Sequence, residues 1–129
     1  MIGTALREIL GQDAAVGALL GVGNDLRIYP LDAGNDPPHP YGIYQILTDR
    51  NERTKVCDHR EATAVITVYT ESYADVVQIS KAIQSALDRY EGTAAGLSFR
   101  LMLVEEISDL YSEHPDLYGR NIRLTAKLN

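Results

Sequence analysis

The chain has 129 residues, a length that fits one domain whose core buries roughly two thirds of the unfolded surface. Its composition, 45% hydrophobic and 23% charged, excludes the disordered regime. Eighteen acidic against twelve basic side chains give a formal charge of −6 and a pI near 4.9, a field that repels phosphate and excludes a sequence-blind grip on nucleic acid.

Cys57 is the single cysteine, so an intrachain disulfide is excluded and a reducing compartment is expected. The N-terminal residues show no basic stretch followed by an apolar run, and no stretch approaches about 18 apolar residues, so neither export nor membrane insertion is expected.

In chain order, Ile2, Leu6, Ile9 and Leu10 recur at helical spacing, with a break expected at Gly11 and a fresh cap at Asp13 opening a second turn through Val16, Leu19 and Leu20. Gly21 and Gly23 end this helix, and Leu26 to Tyr29 reads as a short strand stopped by Pro30. Residues 31–40 hold Pro37, Pro38 and Pro40 and read as a loop. Tyr41 to Thr48 places Tyr41, Ile43, Gln45 and Leu47 on one face and Gly42, Tyr44, Ile46 and Thr48 on the other, a strand expected to be largely covered on both faces.

Residues 49–61 turn strongly polar and read as a long connection before a strand from Ala62 to Thr70 that pairs with the first as a hairpin. Ser72 with Asp75 approximates a capping box, and Val76, Ile79, Ile83, Leu87 and Tyr90 trace one apolar helical stripe until Gly92. Gly92 to Gly96 reads as a linker. Leu97 to Val104 then alternates as a strand, an acidic stretch follows, and Tyr118 to Leu128 alternates as a strand buried on one side. The expectation is a single α+β domain over 1–129, a mostly antiparallel sheet of four or five strands with two helices on one face, in the order α-β-β-β-α-β-β.

Chemistry-bearing residues are few. Cys57, Asp58 and His59 sit together, but zinc needs four ligands at recognisable spacing, and His39 and His114 stand alone. Cysteine catalysis would need a facing base and an orienting third group, which nothing in the chain supplies. Glu105, Glu106, Asp109, Glu113 and Asp116 concentrate negative charge between the last two strands without a calcium-loop spacing, and read as solvated turns or as an electrostatic surface. Gly17, Gly21 and Gly23 close a helix, whereas phosphate loops open one. No cofactor or metal is expected.

Arg50, Arg53, Lys55 and Arg60 make the 49–61 arm read as locally basic in an acidic protein. Either they keep the sheet soluble, or they meet the acidic 105–116 segment of a neighbouring copy in a head-to-tail contact that closes a ring. Exposed pairs contribute only about 0–1 kcal/mol each, so such a ring would also need apolar contact. Tyr41, Tyr44 and Tyr69 fall on strands as expected core residues, while Tyr111 and Tyr118 flank His114-Pro115-Asp116 as interface candidates.

The order of these signatures resembles the phage tail completion family along nearly the whole chain. Its marks are the N-terminal helix leading to Arg27-Ile28-Tyr29-Pro30, the Pro-rich loop delivering His39-Pro40-Tyr41-Gly42-Ile43-Tyr44, and the strand Ala64 to Thr70 running into a helix that ends Ile83-Gln84-Ser85-Ala86-Leu87. An acidic and aromatic passage from Glu105 to Tyr118 then precedes the last strand. The resemblance implies a non-enzymatic structural protein of the virion tail, assembled in the host cytoplasm. It would cap the tail tube as a homo-oligomeric ring of six copies, stop tube polymerisation and offer a docking surface to the head connector or neck, while DNA passes through unbound. Some relatives are head–tail joining proteins, which leaves a neck adaptor as the alternative. A small enzyme or ligand-binding domain using the acidic 105–116 segment is a second.

Overall fold

The computed structural model describes residues 2–21, 26–30, 41–53, 58–113 and 116–128, and within 49–53, 58–59, 110–113 and 116–117 it describes the backbone. Helix α1 spans Ile2–Gln12 and buries Ala5, Leu6, Ile9 and Leu10. The predicted break at Gly11 falls later: Gly11 is buried inside α1, and the turn comes at Asp13. There an extended backbone lets the Asp13 carboxylate accept from the Val16 N–H at 3.0 Å, which starts helix α2, Ala14–Leu20.

Six strands follow: β1 (Ile28–Pro30), β2 (Tyr41–Arg53), β3 (Asp58–Thr70), β4 (Tyr90–Ala94), β5 (Leu97–Glu113) and β6 (Asp116–Leu128), with helix α3 (Tyr73–Leu87) between β3 and β4. They form one sheet in the order β1-β2-β3-β6-β5-β4. The β1–β2 pair is parallel and the others antiparallel. Among the described residues the sheet therefore has six strands rather than four or five, and three helices stand where two were expected. Pro30 belongs to β1, where its missing N–H costs least because β1 is an edge strand.

The added strand β4 occupies most of the expected linker. Ala94 pairs with Leu97, so Ala95 and Gly96, both at positive φ, make a two-residue hairpin turn. Consequently α3 ends at Leu87 and not near Gly92, and Tyr90 leaves the helical stripe to meet Phe99 edge-on at 6.1 Å. The expected capping box is not made: Ser72 is the N-cap of α3 but its hydroxyl makes no capping bond, and Asp75 supports the first turn through its charge alone.

The two central hairpins are longer than the sequence pattern shows. β2 and β3 stay paired out to Arg53 and Asp58, which turns most of the expected polar connection into ladder. β5 and β6 stay paired out to Glu113 and Asp116, through the stretch expected to be turns. Bulges between Ile46 and Thr48 in β2 and between Val104 and Glu106 in β5 fall at one level of the sheet, and each bends its strand.

The core lies between one face of the sheet and the helices. Ala62, Ala64, Ile66 and Val68 of β3 and Ile122, Leu124, Ala126 and Leu128 of β6 meet Val76, Ile79, Ile83 and Leu87 of α3. Full burial of each such Leu or Ile contributes about 1.5–3 kcal/mol. On the opposite face, among the described residues, no helix covers the strands. β2 is thus open on the side expected to be covered, with Gln45 exposed and Leu47 at 41%.

Candidate functional site

The acidic residues singled out from the sequence lie on strand β5, and the bulge after Val104 sends them to different places. Glu105 accepts from the Thr125 hydroxyl at 2.7 Å, and Glu106 stands opposite Arg123 in the ladder. Asp109 pairs with Arg120 across the same ladder. Its carboxylate accepts from Arg120 Nε at 2.7 Å and from the Tyr73 hydroxyl at 2.8 Å. Arg120 in turn donates through Nη1 to the Ser80 hydroxyl at 3.1 Å, which donates to the Val77 carbonyl in α3. Tyr118 meets the Tyr73 ring edge-on at 5.9 Å, and the Arg120 guanidinium lies 6.0 Å from that ring's centre.

This network ties the turn-proximal half of the β5–β6 hairpin to the N-terminal half of α3. The Arg120 hydrogen bond first, and the Tyr73 hydroxyl second, hold the Asp109 carboxyl below its ordinary range, and Asp109 raises Arg120 in return. Tyr73, Ser80 and Arg120 are the participants that sequence reading did not single out. Asp109 and Tyr118, two of the candidates, are thereby engaged within the chain.

A second feature lies on the open face of the sheet, where Gln45, Val65, Thr67, Glu106, Ser108, Asn121 and Arg123 line a cleft of about 300 Å³. The Thr67 hydroxyl donates to the Asn121 carboxamide oxygen at 2.7 Å on its floor. Beside it the Tyr41 and Tyr69 rings meet at 5.4 Å, tilted by 31°, and burial pushes the Tyr69 phenol up. These two rings are half-buried on the open face, so of the three tyrosines expected in the core only Tyr44 packs against it.

The remaining candidates sit at the ends of the hairpins. Arg50 and Arg53 lie on β2, and the register sets them opposite Glu61 and Asp58. Arg60 lies on β3 opposite Asn51 and Leu128. With Asp49, Glu52, Asp58 and Glu61 in the same stretch, residues 49–61 hold as many carboxylates as Lys and Arg side chains, so the arm is neutral rather than basic. Tyr111 stands opposite Tyr118 and Glu113 opposite Asp116. Lys55, Cys57, His39 and His114 lie outside the described residues. Within the chain the 49–61 arm and the acidic 105–116 segment lie toward opposite ends of the sheet, since Arg60 and Glu61 pair with Leu128 and Lys127, whereas Asp109 and Glu113 pair with Arg120 and Asp116. Among the described residues, no three His, Cys, Asp or Glu side chains are placed to share a metal ion.

An α+β domain built around one bent sheet, with its polar side chains spread along two long hairpins, is here the fold of a tailed-phage structural protein. The chain belongs to the family of tail completion protein gp17, whose model matches residues 4–128. A chain in the virion of a native gene transfer agent particle shares the fold with a TM-score of 0.73 at 16% identity, over 96% of this chain and 91% of that one. No curated protein sequence matches it. Among the described residues, no helix is long and apolar enough to cross a membrane.

Proposed function

We propose that the whole chain, residues 1–129, acts as one non-catalytic domain that ends the phage tail. Copies assemble as a ring, six in number by the family resemblance, on the last turn of the tail tube. There they block further addition of tube protein, and their opposite side docks the head connector or neck. The ring forms in the host cytoplasm and remains in the virion tail. The observation that carries this reading is the family match from residue 4 to residue 128, which runs through the helices and the strands of the sheet alike.

The geometry supports it. Among the described residues, Gln45, Thr48, Glu105, Glu106, Ser108 and Arg123 are exposed along the hairpins and the shallow open face, as suits contacts with other proteins. The net charge of −6 suits a passage through which DNA slides without being held. Polymerising purified tail tube protein in the presence of gold-tagged chain tests it. Gold at one end of each tube, with growth stopped at that end, is the expected result. Gold scattered along tubes, or tubes that lengthen unhindered, contradicts it, and binding to connectors without binding to tubes assigns the protein to head–tail joining.

A further inference from the structure

Among the described residues both edges of the sheet are covered at one end only, and the covered ends are opposite. On one edge β1 pairs with Gly42 to Tyr44, and among the described residues no strand pairs with β2 from Gln45 to Arg53 on that side. On the other edge β4 pairs with β5 up to Met102, and Asp88 Oδ1 accepts the Val104 N–H at 3.1 Å. Beyond Val104, among the described residues, no strand pairs with β5 on that side. Unpaired strand edges of this length are templates for another strand.

We infer that the free edge of β2 in one copy pairs with the free edge of β5 in the next, so that the sheet continues from subunit to subunit. The inference rests on the ring reading above and names the surface by which the ring closes. Three observations select a second copy as the partner, and β2 against β5 as the pairing.

First, the central strands β2, β3, β6 and β5 alternate in direction, because each neighbouring pair is antiparallel. A neighbour carrying its strands in the same sense therefore presents its β2 antiparallel to β5. Second, charge discriminates among the pairings. The free stretch of β5 carries Glu105, Glu106, Asp109 and Glu113 with no Lys or Arg, so two β5 edges repel each other. The free stretch of β2 carries Arg50 and Arg53 beside Asp49 and Glu52, so it is neutral, does not repel an acidic neighbour, and offers it two arginines.

Third, the staggered covers fit the tilt of a closed sheet. Within one copy Thr48 is level with Leu103, through Thr63 and Thr125. Sliding the neighbour until its Thr48 meets Ser108 sets Arg50 against Glu106 and brings the two free stretches into overlap. The slide is about 13 Å along the strands for about 19 Å across four strand spacings, a tilt of about 35°, which is what barrel strands adopt. In that position Gln45 to Asn51 lie against Glu105 to Tyr111, with β4 clear of one end of the joint and β1 reached by only the last two residues of β5. Charges placed only to guard the edges against aggregation would need no such match of stagger and sign.

The test joins the edges covalently in tails purified from phage carrying Thr48→Cys and Ser108→Cys with Cys57→Ser. Thr48 and Ser108 are exposed, and within one copy β3 and β6 separate them, far beyond disulfide reach. Mild oxidation is expected to give a ladder of covalent multimers ending at the ring, with each single-cysteine variant stopping at dimer or below. Should the paired cysteines impair assembly, amide exchange on the unaltered protein decides. Residues 45–50 and 105–109 are expected to exchange at least tenfold more slowly in tails than in the free subunit. Tails of normal length in which neither stretch gains protection overturn the pairing while leaving the tube-capping reading standing. Tails that need no copy of the protein overturn that reading instead.

Discussion

Arg89 sits where its backbone suits glycine. Asp88 has φ −68° and ψ 126°, and Arg89 follows with φ 61°, the dihedral sequence of a type II turn that needs positive φ at its third residue. The turn has no alternative here. It carries the chain from α3 into β4 while the Arg89 N–H donates to the Met102 carbonyl at 2.6 Å and Asp88 holds Val104. An L-residue in that region costs about 1–2 kcal/mol, and glycine returns about 0.5–1 kcal/mol of that through unfolded-state entropy, leaving a net gain of about 0.5–1 kcal/mol. The Arg89 side chain is exposed, so little packing is lost. Arg89→Ala removes the same guanidinium but keeps the strained φ, and the comparison of the two variants isolates the backbone. Thermal unfolding is expected to place Arg89→Gly about 2–5 °C above Arg89→Ala. Equal or lower stability of the glycine variant would refute the argument.

Asp109→Asn removes the carboxylate that Arg120 and Tyr73 hold. Its folded value lies below the ordinary 3.8, so its contribution is complete above that value and is lost as pH falls through the lowered one. The melting temperature of the variant is therefore expected to drop less than that of the parent between pH 5 and pH 2, read by circular dichroism; parallel pH profiles would contradict this. Asp13→Ala loses a made capping bond and is expected to cost about 1 kcal/mol in denaturant unfolding, against a few tenths for Ser72→Ala, whose hydroxyl caps nothing; equal losses would show that Asp13 does not act as a cap. Gly3→Ala drives a methyl into the Tyr44 ring, and overpacking of this kind costs about 1–3 kcal/mol. The same change in a Tyr44→Ala background is expected to be neutral or better, and an unchanged cost there would place the strain elsewhere.

The parts of the fold legible in the sequence are those whose pattern is set by the core. α3 shows its stripe because Val76, Ile79, Ile83 and Leu87 all face the sheet, and β6 alternates because Ile122, Leu124, Ala126 and Leu128 are buried while Arg123 and Lys127 are not. The extension of β2 to Arg53 and of β5 to Glu113 was not legible, because ladder bonds hold those stretches while their composition reads as solvent-facing polar chain. β4 was hidden for a different reason: its Gly92, Thr93 and Ala94 carry no strand signal, and pairing with Leu97 to Met102 makes it a strand.

For the candidate site, sequence reading found Asp109 and Tyr118 but not what they do. Their shared partner Tyr73 lies on α3, as does Ser80, which accepts from Arg120, and no local spacing connects residues 36 positions apart such as Tyr73 and Asp109. The neutrality of residues 49–61 was legible, since counting Asp49, Glu52, Asp58 and Glu61 against Arg50, Arg53, Lys55 and Arg60 gives it directly.

The most direct test of the tail-completion role is electron microscopy of a lysate in which the phage gene for this chain is stopped early. The account predicts overlong tail tubes beside full heads that have failed to attach. Tails of normal length separated from full heads would move the protein to the neck, and intact infectious virions would contradict the role altogether.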